Sequence, residues 1–196
     1  EMAQEFDAPC MRYFLGDVEK VYAEARELSS GAPETLIGHR EDTAFVTFVF
    51  KSGVVGNWSW TLAAPGKSFT NLVFYGSEGS LRDTTDSRFS VFHLFWRDKR
   101  SGLVESGEIV KEDGTALTLE EVERTYMESL GDKEKETLFP HGVVDGFALE
   151  NWEFIEAVRG NRSEVEVDGW EGLRSLAICE AIYESAYTGE PVLVDD

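Results

Sequence analysis

The chain has 196 residues, 42% of them apolar and 12% aromatic, with a formal net charge of −20. That composition suits one folded domain with a sizeable core rather than a disordered chain. The acidity excludes a nucleic-acid surface, which needs clustered Lys and Arg to displace phosphate counterions, and it excludes an anionic membrane surface for the same electrostatic reason.

No apolar run approaches the roughly 20 residues that cross a bilayer, and no signal-peptide pattern is present, so a soluble cytoplasmic protein is expected. Cys10 and Cys179 lack motif spacing, which argues against a disulfide scaffold or a zinc site. The acids are scattered through GDKEKE, TLEEVE and EVEVDGWEG, so they read as a solvated surface rather than a binding tail.

Met11, Phe14 and Leu15 lie at helical spacing over 8–15, with Asp7 as N-cap, Pro9 in the first turn and Gly16 as stop. VEKVYAEAR (18–26) alternates as a strand, and SSGAPET is a loop. TAFVTFVF and VVGNWSWTLA flank Ser52-Gly53, the pattern of a hairpin with a two-residue turn. SFTNLVFYG and SLRD are further strands around Gly76 and Gly79, and RFSVFHLFWRD is another. Residues 101–116 read as a polar hairpin or loop.

TLEEVERTYMESL is helical, with Thr118 and Glu121 forming a capping box. HGVVDGFALENWEFIEAVRG is a second helix, with Val144, Phe147, Ile155 and Val158 on one stripe and Gly160 closing it. EVEV is a short strand. Asp168 and Glu171 form another capping box, opening a helix that packs through Leu173, Leu176, Ala177 and Ala181. PVLV is the last strand.

A helix, a block of hairpin-connected strands, then helices with short strands make an α+β domain with an open, mostly antiparallel sheet. No Gly-rich turn joins a strand to a helix as in a dinucleotide site. A sheet with helices on one side should alternate apolar and polar residues, yet TAFVTFVF is apolar on both faces. Phe45 and Val49 oppose Val46, Phe48 and Phe50, and RFSVFHLFWRD repeats the pattern. Either helices cover both faces or a second subunit covers one. Three main helices are few for two faces, which favours an oligomer.

Motifs alone give no reaction. YGSEGSL reads as a turn rather than a phosphate cradle, and His39, His93 and His141 are dispersed without ligand spacing. His93 suits a core or interface, and His141, after Pro140, suits the surroundings of a helix start or a cleft. Trp58 and Trp60 share a strand face and can line a sugar-binding cleft or fill a core.

Taken together, EDTAFVTFVFKSGVVGNWSWTLAAPGKSFTNLVFYGSEGSLRD and FALENWEFIEAVRGNRSEVEVDGWEGLRSLAICEAIYESAYTGEPVLV resemble the glucose–fructose oxidoreductase / inositol dehydrogenase / MocA family. So does RYFLGDVEKVYAEA, which is similar to that family's join between helix and first strand. The resemblance implies a single domain over 1–196, equivalent to the family's C-terminal substrate and oligomerisation domain, of the glyceraldehyde-3-phosphate-dehydrogenase-like type. Helices would pack on one face of its sheet and a homo-oligomer would form through the other. The N-terminal Rossmann domain is absent from these residues.

The implied activity is NAD- or NADP-dependent oxidoreduction of a sugar, inositol or related polyol. No cofactor is expected on this chain alone, which would then be inactive alone. The family's proton-transfer His and second Asp fall at Phe6 and Pro9, and neither side chain can titrate. Glu5, Asp7 and His141 are the remaining catalytic candidates, and Arg12, Trp58 and Trp60 the substrate-contact candidates. The alternative is a self-associating module that has lost the chemistry.

Overall fold

A computed structural model describes residues 11–27, 41–61, 63, 70–85, 106–144, 146–163, 165 and 167–195. In chain order the described elements begin with α1 (11–15), β1 (Val18–Arg26), β2 (Thr43–Phe50), β3 (Val55–Thr61), β4 (Thr70–Gly76) and β5 (Gly79–Thr85). They continue with β6 (Ser106–Lys111), β7 (Ala116–Thr118), α2 (Leu119–Ser129), α3 (Asp132–Leu138), α4 (Gly146–Val158), α5 (Gly169–Thr188) and β8 (Val192–Leu193). The class is α+β and, among the described residues, the strand pairings are antiparallel, in line with the mostly antiparallel sheet the sequence implies. Among the described residues the strands form two four-stranded sheets, and the chain divides into two compact units.

The first unit comprises Glu1–Pro65 and Glu166–Asp196, with strand order β3-β2-β1-β8. Gly16 ends α1 in the left-handed region (φ 85°), and its N–H returns to the Arg12 carbonyl at 2.9 Å. The β1–β2 register shifts between Val18 and Lys20. That bulge puts Val18 on the same face as Val21 and Ala23, which an unbroken period of two would not do.

The expected β2–β3 turn of two residues is in fact a loop of three, Lys51-Ser52-Gly53. Phe50 N–H reaches the Val54 carbonyl at 2.9 Å, Gly53 N–H bonds back to the Phe50 carbonyl at 2.8 Å, and Gly53 takes φ 86°. This is the turn-plus-bulge closure that a left-handed glycine at the third position allows.

The core joins Val18, Val21, Ala23, Val46, Phe48 and Phe50 of the sheet to Ile178, Ala181 and Ile182 of α5. Leu173 and Leu176, expected to pack, are exposed, while Ser175 and Ser185 are buried. The small seryl and alanyl side chains let α5 approach β1 closely. Ser185 Oγ then accepts from Ala23 N–H at 2.9 Å and donates to the Glu190 carbonyl at 2.7 Å. On the opposite face Phe45 (62% exposed), Val55 (66%) and Leu193 (65%) stand open to solvent.

The second unit, Gly66–Val165, is the meander β4-β5-β6-β7 with α2, α3 and α4. Gly79 is required where β5 meets β6, because a Cβ there would lie 2.3 Å from the Val110 carbonyl oxygen. The α2 capping box forms as expected. Glu121 N–H donates to Thr118 Oγ1 at 3.2 Å, and Thr118 N–H donates to Glu121 Oε2 at 2.8 Å.

Helix α3 has no counterpart in the sequence reading, since GDKEKETL carries no apolar stripe. Its start is held by Gly131 N–H donating to Glu134 Oε2 at 2.8 Å. The helix expected from His141 begins instead at Gly146, because His141 (φ 56°) and Gly142 (φ 72°) are both left-handed and cannot continue a helix. On it Ile155 and Val158 are exposed, as is Val144 ahead of it. The strand RFSVFHLFWRD, the first turn of the opening helix and residues 164 and 166 of EVEV lie outside the described residues.

Candidate substrate-binding site

Trp58 and Trp60 stand on edge strand β3 with their side chains on the core face. Pairing sets Trp58 beside Val46 and Trp60 beside Ala44. Their ring centroids are 6.3 Å apart at 35° between planes, and both rings are partly buried. Trp58 packs against the core cluster, as do Met11 and Leu15 of α1. The Trp60 indole nitrogen is shut off from water, and among the described residues nothing accepts its hydrogen.

At the same end of β2 and β3 lies a polar group that the sequence reading did not single out. Asp42 and Thr43 are buried. Thr43 Oγ1 donates to Asp42 Oδ1 at 3.0 Å and lies 2.8 Å from Thr61 Oγ1, which accepts from Ala63 N–H at 3.1 Å. The signal available was the E-D-T-A run ahead of an apolar strand, where an acid and a hydroxyl precede buried positions.

Arg12 is held by its own unit. Its side chain is 10% exposed; Nε and Nη2 meet Asp17 Oδ1 at 3.2 and 2.9 Å, and Nη1 meets Glu171 Oε2 at 3.0 Å. Nη1 also lies 3.3 Å from the Glu171 carbonyl and 3.5 Å from Ser175 Oγ. These bonds tie α1 and the head of β1 to the first turns of α5. Asp168 caps α5 by accepting from the N–H groups of Trp170 (2.9 Å) and Glu171 (3.0 Å). Glu171, expected to complete a capping box, turns its carboxylate to Arg12 and Arg174 instead.

His141 belongs to the second unit, is exposed, and is the one non-glycine with positive φ among the described residues. Glu5, Phe6, Asp7, Pro9, His39 and His93 lie outside the described residues. No group of three His, Cys, Asp or Glu among the described residues could hold a metal ion. The resolved pKa shifts belong to local surface pairs. The Tyr22 hydroxyl, bonded to Glu24 at 3.2 Å, is raised by that bond and that charge. Glu156 is lowered first by its bond from Asn161. Among the described residues, what the geometry offers a ligand is therefore the partly exposed faces of Trp58 and Trp60, the Trp60 nitrogen itself being sealed.

The family model for the C-terminal alpha/beta domain of the Gfo/Idh/MocA oxidoreductases matches residues 6–194. The chain belongs to that family. Among solved structures it is similar to the WlbA dehydrogenase of Bordetella pertussis in complex with NADH and UDP-GlcNAcA, at 22% identity and a TM-score of 0.62, covering 98% of this chain and 46% of that one. It is similar to the aldose-aldose oxidoreductase of Caulobacter crescentus complexed with glycerol, at 18% identity and a TM-score of 0.62, covering 97% and 45%. A third is an Agrobacterium radiobacter oxidoreductase with NAD+, L-tartaric acid and magnesium, at 16% identity and a TM-score of 0.60, covering 97% and 47%. These likenesses establish the shared fold. The chain spans just under half the length of each of the three. No curated protein matches it. No described helix is long and apolar enough to cross a membrane.

Proposed function

We propose that this chain is the substrate-pocket and oligomerisation part of a cytoplasmic NAD- or NADP-dependent oxidoreductase acting on a sugar, inositol or related polyol. The observation that carries the reading is the match of the Gfo/Idh/MocA C-terminal model along nearly the whole chain. The relatives that supply NADH or NAD+ complexes are about twice as long, so the nucleotide is expected to bind a companion half. Hydride transfer then needs both halves, with this one holding the polyol. Homo-oligomerisation, a dimer in the simplest case, is expected through the apolar sheet face that carries Phe45, Val55 and Leu193.

Calorimetric titration tests the division of labour. NADH should give no binding heat with this chain up to millimolar concentration, and micromolar binding would overturn the reading. A second reading, a self-associating module without chemistry, is favoured by Phe6 and Pro9 in the family's proton-transfer positions. The two part on one assay. Mixed with a nucleotide-binding half of the family, the enzyme half supports polyol-dependent NAD(P)H formation and the bare module does not.

A further inference from the structure

We propose that ionic strength governs how α5 is held on the first sheet. The C-terminal half of the helix loosens in dilute salt and closes on β1 as monovalent salt approaches about 1 M. The inference is independent of the polyol reading and concerns the first unit alone. Its ground is an imbalance of charge that no arrangement of side chains removes. The chain has 38 acids against 18 Lys and Arg, so 20 carboxylates remain when every base is matched to one acid. The imbalance is steepest at the end of the sequence. From Ser175 to Asp196 there are five acids, Glu180, Glu184, Glu190, Asp195 and Asp196, and no Lys, Arg or His.

The fold gathers part of that charge where α5 is attached. Glu180 and Glu184 are both exposed and stand one turn apart on the same side of the helix, where like charges oppose it. Glu184 and Glu190 lie on either side of the last turn, which carries no base to meet the negative end of the helix dipole. A further carboxylate comes from β1. The Tyr22 hydroxyl is raised first by its bond to Glu24 and by that group's charge, and the charge of Glu190 raises it as well. Glu24 and Glu190 thus act on one hydroxyl from two separate elements, and Arg26 beside them is bonded to Glu24.

The same turns carry the attachment itself. Ala181 and Ile182 enter the core, and Ser185 joins the Ala23 N–H to the Glu190 carbonyl. Repulsion among the outer carboxylates therefore works against the burial directly beneath them. Side chains one helical turn apart are separated by about 5–6 Å. That spacing is inside the Debye length of about 10 Å at 0.1 M salt and outside the length of about 3 Å at 1 M. Molar salt screens these neighbours from one another, and dilute salt leaves them repelling.

Amide hydrogen exchange of the intact chain in KCl, followed by nitrogen-15 NMR, provides the test. The Ala23 N–H and the amides of 181–188 should exchange about tenfold faster in about 0.1 M KCl than in about 2 M, while those of Val46 and Phe48 in β2 change about twofold or less. The triple variant Glu180→Gln, Glu184→Gln, Glu190→Gln should keep slow exchange at the lower salt, its two rates agreeing within about threefold. Salt also strengthens apolar burial, but it does so in wild type and variant alike. A salt effect that survives all three substitutions therefore overturns the inference. Equal acceleration at Val46 and Phe48 would move the effect to the whole fold and overturn the assignment to α5. Wild-type exchange that is indifferent to KCl overturns it outright.

Discussion

Ser185 holds together three parts of the first unit with one hydroxyl. It takes the N–H of Ala23 in β1 and gives its hydrogen to Glu190 beyond the end of α5, with its side chain fully buried. Ser185→Ala would strand a buried N–H and a carbonyl, at a cost of about 1–3 kcal/mol. That should lower the melting temperature by a few degrees in calorimetry, whereas Ser52→Ala, which loses an exposed bond to the Leu15 carbonyl, should change it by less than about 0.5 kcal/mol equivalent. Trp58 and Trp60 were legible in sequence as a same-face pair because strand periodicity is rigid. That the Trp60 N–H finds no acceptor among the described residues was not legible, since it depends on what the folded chain brings near. Arg12 shows the same limit. As a sequence letter it suits an anion, and only the fold reveals Asp17 and Glu171 waiting for it.

At the scale of elements, capping is the chemistry that sequence reports best. Thr118 and Glu121 close α2 as their spacing implies, and Asp168 opens α5. The bonds from Thr118 N–H and Oγ1 hold the Glu121 carboxyl below the ordinary glutamate value near 4.5. A depressed folded pKa means that the contribution to stability is complete above the ordinary value and is lost as pH falls through the depressed one. Thermal unfolding followed by circular dichroism should find the wild type more stable than Glu121→Gln at pH 7. The gap should close on acidification below about pH 4.5, and a gap that widened would contradict the assignment. Helix α3 was invisible in GDKEKETL because short polar helices are held by their ends and not by an apolar stripe. The buried face of α5 was read correctly at Ala181 and wrongly at Leu173 and Leu176, for the opposite reason. Apolarity points to Leu173 and Leu176, but close approach to β1 selects the small residues Ser175, Ala181 and Ser185.

For the whole molecule, the open question is what meets the outer face of the first sheet. Tyr22, Phe45, Val55 and Leu193 expose apolar surface there, as the doubled apolarity of TAFVTFVF implies, while their strands' other faces build the core. Light scattering should report a dimer or larger assembly for the wild type. Phe45→Asp should shift it towards monomer with the secondary structure retained, since Phe45 contributes nothing to the core. A wild-type monomer at micromolar concentration would dissociate this face from self-association. The α+β class was legible because hairpins and capped helices leave local marks. The division of strands into two sheets was not, because pairing partners are set by distant segments.

The bulge between Val18 and Lys20 has a consequence for how such a domain can change. A strand with a phase slip at its head is mechanically two pieces: the first follows the end of α1, and the rest obeys the sheet. A change in the pitch or approach of α1 can be absorbed at Glu19, whose carbonyl already serves the Val194 N–H, without turning Tyr22 or Val21 to the wrong side. The joint thus lets the outer face that carries Phe45, Val55 and Leu193 keep its alignment while the end of α1 adjusts.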